Sequence, residues 1–156
     1  MSIERARNYL STCGLDGEIM EFEMSSATVA EAALAINCRE AEIAKTLSFL
    51  VEDKPILIVA SGNSKIDNAK FKAEFHTKAK MLAFDDVEVL IGHAVGGVCP
   101  FGVNEGVTIY LDDSLKSFDT VYPACGSSNS AIKLTPQKLE EIVKYEKWVD
   151  VCKSAE

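Results

Sequence analysis

The sequence predicts an α+β fold, a mostly antiparallel, barrel-like curved sheet with helices packed outside it. Two observations carry this prediction. Strand-like segments outnumber helical ones, and several are joined by connections too short to hold a crossover helix. The 156 residues also contain no repeat, low-complexity tract or linker-like run, so residues 1–156 are expected to form a single domain.

The elements follow in order. Ser2 is placed to cap a first helix in which Ile3, Ala6, Leu10 and Cys13 recur at helical spacing, with Gly14 as its stop. Met20, Phe22 and Met24 alternate with Glu21 and Glu23, the pattern of a half-buried strand. Thr28-Val29-Ala30-Glu31 is a capping box opening an alanine-rich helix to about Ile36, with Asn37 as a left-handed terminator. Lys45–Val51 and Pro55–Ala60 read as strands joined by a turn at Asp53-Lys54, a hairpin. A helix from about Asp67 to Phe75 turns Phe71 and Phe75 inward at i,i+4. A short strand near Met81, a helix from Asp85 to Leu90, and strands at Val107–Leu111, Thr120–Ala124 and Ala131–Leu134 come next. Thr135-Pro136 starts the last helix, threonine as cap and proline at the first helical position.

Composition removes several function classes. No basic region precedes an apolar run at the N-terminus, so no signal peptide is expected, and Pro55–Ala60 is too short an apolar run to cross a bilayer. Five scattered cysteines without a Cys-x-x-Cys pair, and only His76 and His93, argue against a disulfide scaffold or a zinc site. The cytoplasm is the expected location, and neither metal nor cofactor is expected. A net charge of −8 excludes a broad basic surface wrapped on DNA. The charge is uneven: Lys65, Lys70, Lys72, Lys78 and Lys80 against Asp67 and Glu74 give residues 65–80 a net +3. That patch suits a short contact with a phosphate backbone, Lys70 and Lys72 foremost, or is a solvated helix face.

Three segments are candidates for chemistry. Lys45 shares a strand face with Leu47 and Phe49, and a lysine opening an apolar face either snorkels to solvent or lines a pocket. Residues 91–104 hold four glycines and no Asp, Glu, Lys or Arg. Backbone N–H groups in such a loop can approach a carbonyl oxygen or a ribose, and the same composition also makes a tight buried turn. No Walker A or Gly-x-Gly-x-x-Gly pattern is present. Ala124-Cys125-Gly126-Ser127-Ser128-Asn129-Ser130-Ala131 is a second uncharged, small-residue segment, fit either to shape a pocket or to connect a hairpin. A nucleophilic Cys99 or Cys125 paired with His93 lacks a supporting context, and no Gly-x-Ser-x-Gly elbow exists.

Taken together, Ile43-Ala44-Lys45-Thr46-Leu47, Val95-Gly96-Gly97-Val98-Cys99-Pro100-Phe101-Gly102 and the order of elements around them resemble the YbaK/ProRS-type aminoacyl-tRNA editing domains. The resemblance runs from about Thr28 to Val143. It implies a freestanding deacylase that removes Cys, Ala or another small residue from mischarged tRNA, tRNA-Pro foremost, in trans. It implies a catalytic Lys45, a pocket position at Thr46, and a Gly-x-x-x-Pro loop at Gly96, Gly97, Val98, Cys99 and Pro100. It also implies substrate contacts from Gly126, Ser127 and Ala131. The partners it implies are the acceptor end of tRNA and, through transient docking, prolyl-tRNA synthetase or an elongation factor, with no membrane. Where some relatives carry Gly-Gly-Lys-Arg-Gly, this chain has Cys125-Gly126-Ser127-Ser128-Asn129, and Met24-Ser25 stand where some carry tyrosine or histidine. Lys45 and the glycine loop are expected to face each other across one cleft, with the substrate's own ribose hydroxyl or thiol assisting proton transfer. The alternative is a non-catalytic module of the same fold that binds tRNA or a synthetase.

Overall fold

The computed structural model describes residues 2–154, the side chain of Ser2 excepted, so the expected Ser2 cap lies outside what is described. Helix α1 (Ser2–Thr12) ends in a turn at Gly14, whose φ of +74° suits glycine. Strand β1 (Met20–Glu21) is shorter than the alternation predicts, and Met24 is exposed rather than inward. The chain beyond β1 still tracks the 128–129 segment, since Phe22 N–H donates to Asn129 O and Ser26 N–H to Ser128 O. Helix α2 (Val29–Ile36) has the predicted threonine cap, Glu31 N–H donating to Thr28 Oγ1 at 3.1 Å, but not the full capping box: the Glu31 carboxylate accepts from the Thr28 hydroxyl at 3.1 Å rather than from its backbone N–H. Asn37 closes it at φ 66°.

The hairpin of β2 (Ile43–Val51) and β3 (Lys54–Ser61) pairs antiparallel from Ala44↔Ser61 to Val51↔Lys54. Glu52 and Asp53 make its turn, both at positive φ. Strand β4 (Ser64–Ile66) follows, then α3 (Asn68–Phe75), capped by Asp67, and α4 (Phe84–Ile91). The expected strand near Met81 is a single bridge to Phe49. The remaining elements are β5 (Thr108–Asp112), β6 (Tyr122–Pro123), β7 (Ser130–Ala131), α5 (Pro136–Ile142), β8 (Lys147–Val149) and β9 (Cys152–Ser154).

The central sheet runs β6-β2-β3-β5-β8, with the pairs β1-β7 and β4-β9 beside it. The α+β class stands, but the sheet is mixed rather than mostly antiparallel. Only β2-β3 is antiparallel within it; β2-β6, β3-β5 and β5-β8 are parallel. The physical reason is burial on both faces. Leu57 and Val59 enter one cluster with Ala6, Leu10, Ile91 and Phe101, while Ile56, Ile58 and Ala60 enter another with Phe49, Phe71 and Val151. A strand covered on both sides reads as an unbroken apolar run, as Pro55–Ala60 does, and carries no mark of its neighbours' direction. Strands β4, β8 and β9 are three residues each, too short for a periodicity to register.

Leu57 has no exposed surface at the middle of this sheet. Leu57→Ala is expected to cost about 2–5 kcal/mol of stability, read as a lower urea midpoint with an unchanged slope.

Candidate functional site

One cavity of about 350 Å³ opens between β2, the start of α2, α4, the glycine loop and the β6–β7 segment. Its floor is the even-numbered face of β2, with Ala44, Thr46 and Ser48; Ser26, Thr28, Val29 and Ala32 form one wall. Leu82 and Val87 form a second wall, Gly96 and Val98 a third, and Tyr122, Ala124, Ser130 and Ala131 a fourth. Among the described residues no aspartate or glutamate lines it, and Lys45 is the one charged residue in its wall.

The pocket's shape depends on glycine. A Cβ on Gly97 would lie 2.5 Å from Gly126 C and 2.6 Å from Ser127 N, so the two uncharged loops meet backbone to backbone. Gly96 and Gly126 take φ of +95° and +90°. Beneath them, Ser127 Oγ and Ser130 Oγ share a hydrogen bond of 2.6 Å, Ser127 Oγ also donates to Asn129 Oδ1, and Asn129 Nδ2 donates to Phe22 O. This network ties the 126–130 segment to the chain leaving β1.

Of the residues expected at the site, Lys45, Thr46, Gly96, Val98 and Ala131 line the cavity together. Gly97, Cys99, Pro100, Gly126 and Ser127 do not; they form the supporting layer behind its wall. Cys99 is fully buried, and burial pushes its thiol up to about 12, against the pull of hydrogen bonds at Phe101 and Gly126. Burial likewise raises the Cys125 thiol. Neither is a thiolate nucleophile at neutral pH, although Cys99 Sγ lies 3.5 Å from His93 Nε2. His93 Nε2 donates to Phe101 O at 2.6 Å, an arrangement that stiffens the loop's base.

Lys45 contributes to the cavity wall, but its half-buried ammonium donates to the carbonyl oxygens of Gly62, at 3.4 Å, and Ser64, and neither of those residues lines the cavity. Burial lowers its pKa, partly offset by the nearby Cys152 thiol. Lys45 and the glycine loop thus border one cavity, but the ammonium does not face the loop as expected: it is held outside the cavity, at the turn between β3 and β4. Lys70 donates to Asp150 Oδ1 at 3.0 Å and to Cys152 O, clasping α3 to the chain end, while Lys72 is exposed in the last turn of α3. Neither lines the cavity.

Residues that sequence reasoning missed include Ser26, Val29, Ser48, Met81, Phe84 and Tyr122. One signal was available: residues 24–30 are as uncharged and small as the two loops that were singled out. The hydroxyl oxygens of Ser26 and Thr46 are buried and have no hydrogen-bond partner among the described residues, an uncommon state for a buried polar atom. Among the described residues no group of three His, Cys, Asp or Glu is placed to hold a metal, and no helix is long and apolar enough to cross a membrane.

The cavity, walled by the glycine loop and the 122–131 segment, sits on a mixed α+β scaffold. Residues 23–142 match the family described as aminoacyl-tRNA editing domain, and the chain belongs to that family. It is 49% identical, over the full length of both, to the uncharacterized protein YwhH of Bacillus subtilis (strain 168). It is 27% identical over 122 residues to a proline--tRNA ligase of Geobacillus sp. (strain WCH70), covering 76% of this chain and 21% of the ligase. The chain thus spans about a fifth of the length of such ligases. Among solved structures, a candidate trans-editing enzyme for prolyl tRNA synthetase superposes with a TM-score of 0.87 at 28% identity, covering 98% of each chain. The hypothetical protein APE2540 superposes at 0.85 with 25% identity, over 96% of this chain and 99% of that one.

His93 has no exposed surface and its Nδ1 has no partner among the described residues. Burial lowers its pKa, the hydrogen bond to Phe101 raises it, and Arg5 lowers it further, the net shift being downward. The unfolded chain therefore takes up the proton first, so stability is full above about pH 6.5 and declines as pH falls from there toward the lowered folded value. His93→Gln is expected to flatten that decline, measured as melting temperature between pH 7.5 and 5.

Proposed function

We propose that the chain is an aminoacyl-tRNA deacylase, a single editing domain over residues 1–156 that acts in trans on mischarged tRNA. The observation that carries this reading is the cavity: of a size for an aminoacyl group, free of carboxylates among the described residues, and built on the segments that match the editing family. A neutral apolar pocket disfavours charged side chains through their desolvation cost, which leaves Cys, Ala or another small residue as the acyl group removed. Kinship to prolyl-tRNA ligases makes tRNA-Pro the first tRNA to test.

In this reading the ester carbonyl lies between the glycine loop and β2. Water adds to the acyl carbon, and the developing oxyanion is met by backbone N–H groups of the loop and by Lys45, whose long stem lets the ammonium leave the Gly62 and Ser64 carbonyls. The tetrahedral intermediate collapses with cleavage of the bond between acyl carbon and ribose oxygen. That oxygen takes a proton relayed through the neighbouring ribose hydroxyl, releasing free amino acid and uncharged tRNA. Cationic Lys45 repels the substrate's α-ammonium, so its place is on the carbonyl or phosphate side. Thr46, and the supporting layer of Gly97, Cys99, Pro100, Gly126 and Ser127, hold the pocket's shape. Lys72, and Lys70 at the expense of its pair with Asp150, offer contacts to the acceptor stem. The acid-rich body makes intrinsic tRNA affinity weak, and docking on prolyl-tRNA synthetase or an elongation factor would supply the rest.

A panel of mischarged tRNAs incubated with the protein tests this reading. Release of a small amino acid from one of them by the wild type, at least a hundredfold slower in Lys45→Ala with an unchanged melting temperature, is the expected outcome. Equal rates in both proteins would remove Lys45 from the chemistry. Binding of tRNA without cleavage in either would leave a non-catalytic module.

A further inference from the structure

We propose that residues 78–84, together with Val95, form a seat for single-stranded RNA at the mouth of the cavity, Phe84 and Met81 stacking bases while Lys78 and Lys80 meet phosphates. The surface rests on the deacylase reading for its biological substrate, and its physical basis is independent of any hydrolysis.

Large apolar side chains are seldom left in solvent as a group. Phe84 is 74% exposed, Met81 60% and Val95 47%, and all three also line the cavity, so they stand where it meets solvent. They come from two pieces of chain: the stretch from the bridge at Met81 to Phe84, the first residue of α4, and the glycine loop. Nothing in the core needs them there: the walls beneath are already closed by Leu82 and Val87, both buried. An apolar rim above an uncharged cavity fits a partner that offers flat, weakly hydrated faces next to a group that enters the pocket.

Charge selects among such partners. Lys78 and Lys80 are exposed, lie three and one residues before Met81, and make no ion pair among the described residues, unlike Lys70. Cations alternating with apolar platforms are what a single strand requires, its bases stacking on side chains while its phosphates run along the charges. The geometry also sets a direction. Asp85, Asp86 and Glu88 are exposed on α4 just past Phe84 and repel phosphate, so the backbone of the strand must cross on the Lys78–Lys80 side and pass its end over Phe84 into the cavity. A transfer RNA ends in unpaired nucleotides bearing the amino acid on the last ribose, which is the shape this rim accepts.

The test uses the intact protein and a single-stranded RNA hexamer ending in CCA, with binding followed by fluorescence anisotropy at several salt concentrations. Phe84→Ala is expected to weaken binding roughly fivefold to a hundredfold, the range for losing one stacked base. The double variant Lys78→Glu, Lys80→Glu is expected to weaken it further and flatten the salt dependence by about 0.7 per lost phosphate contact. A blunt duplex of the same strand should bind less tightly and ignore Phe84. Failure of the wild type to bind the hexamer, equal binding by the variants, or equal binding of the duplex would each overturn the proposal. Binding that depends on Phe84 without cleavage of any mischarged tRNA would instead overturn the deacylase reading and keep the surface.

Discussion

The backbone contact between Gly97 and the Gly126–Ser127 peptide is the constraint on which the site depends. Two loops, thirty residues apart in sequence, lie too close for even a methyl group between them. Because each loop is uncharged, no ion pair competes with that approach, and the hydrogen bonds at Ser127, Asn129 and Ser130 fix the second loop to the chain leaving β1. The cavity is what remains on the other side of this contact: Gly96 and Val98 face it, while Gly97 and Cys99 point back into the support.

The same alternation explains how much of the site was legible in the sequence. The threonine cap at Thr28, the hairpin around Asp53, the proline start of α5 and the inward Phe71–Phe75 pair are local, and local chemistry decides them. The sheet's parallel pairings are not local. Strands β3 and β5 meet across fifty residues, and an apolar run buried on both faces says nothing about which neighbour it takes or in which sense. Likewise the motif segments pointed to the right neighbourhood, but a stretch such as 96–100 alternates between wall and support, a distinction set by packing.

Lys45 shows what residue type alone leaves open. Its face on β2, shared with Leu47 and Phe49, is the one that does not carry Thr46 and Ser48, so its ammonium reaches the carbonyls of Gly62 and Ser64 rather than the pocket floor. The half-buried cation is stabilised by those carbonyls against the desolvation that lowers its pKa.

The placement of the five cysteines carries a consequence for durability. Cys99, Cys125 and Cys152 are interior, and burial keeps each of them in the unreactive thiol form. An oxidant arriving from solvent therefore meets Cys13 and Cys38 first, and neither borders the pocket. Thiol oxidation would fall on the periphery and leave the interior cysteines reduced, whereas the exposed thioether of Met81 makes the cavity's rim the part of the site that peroxide reaches.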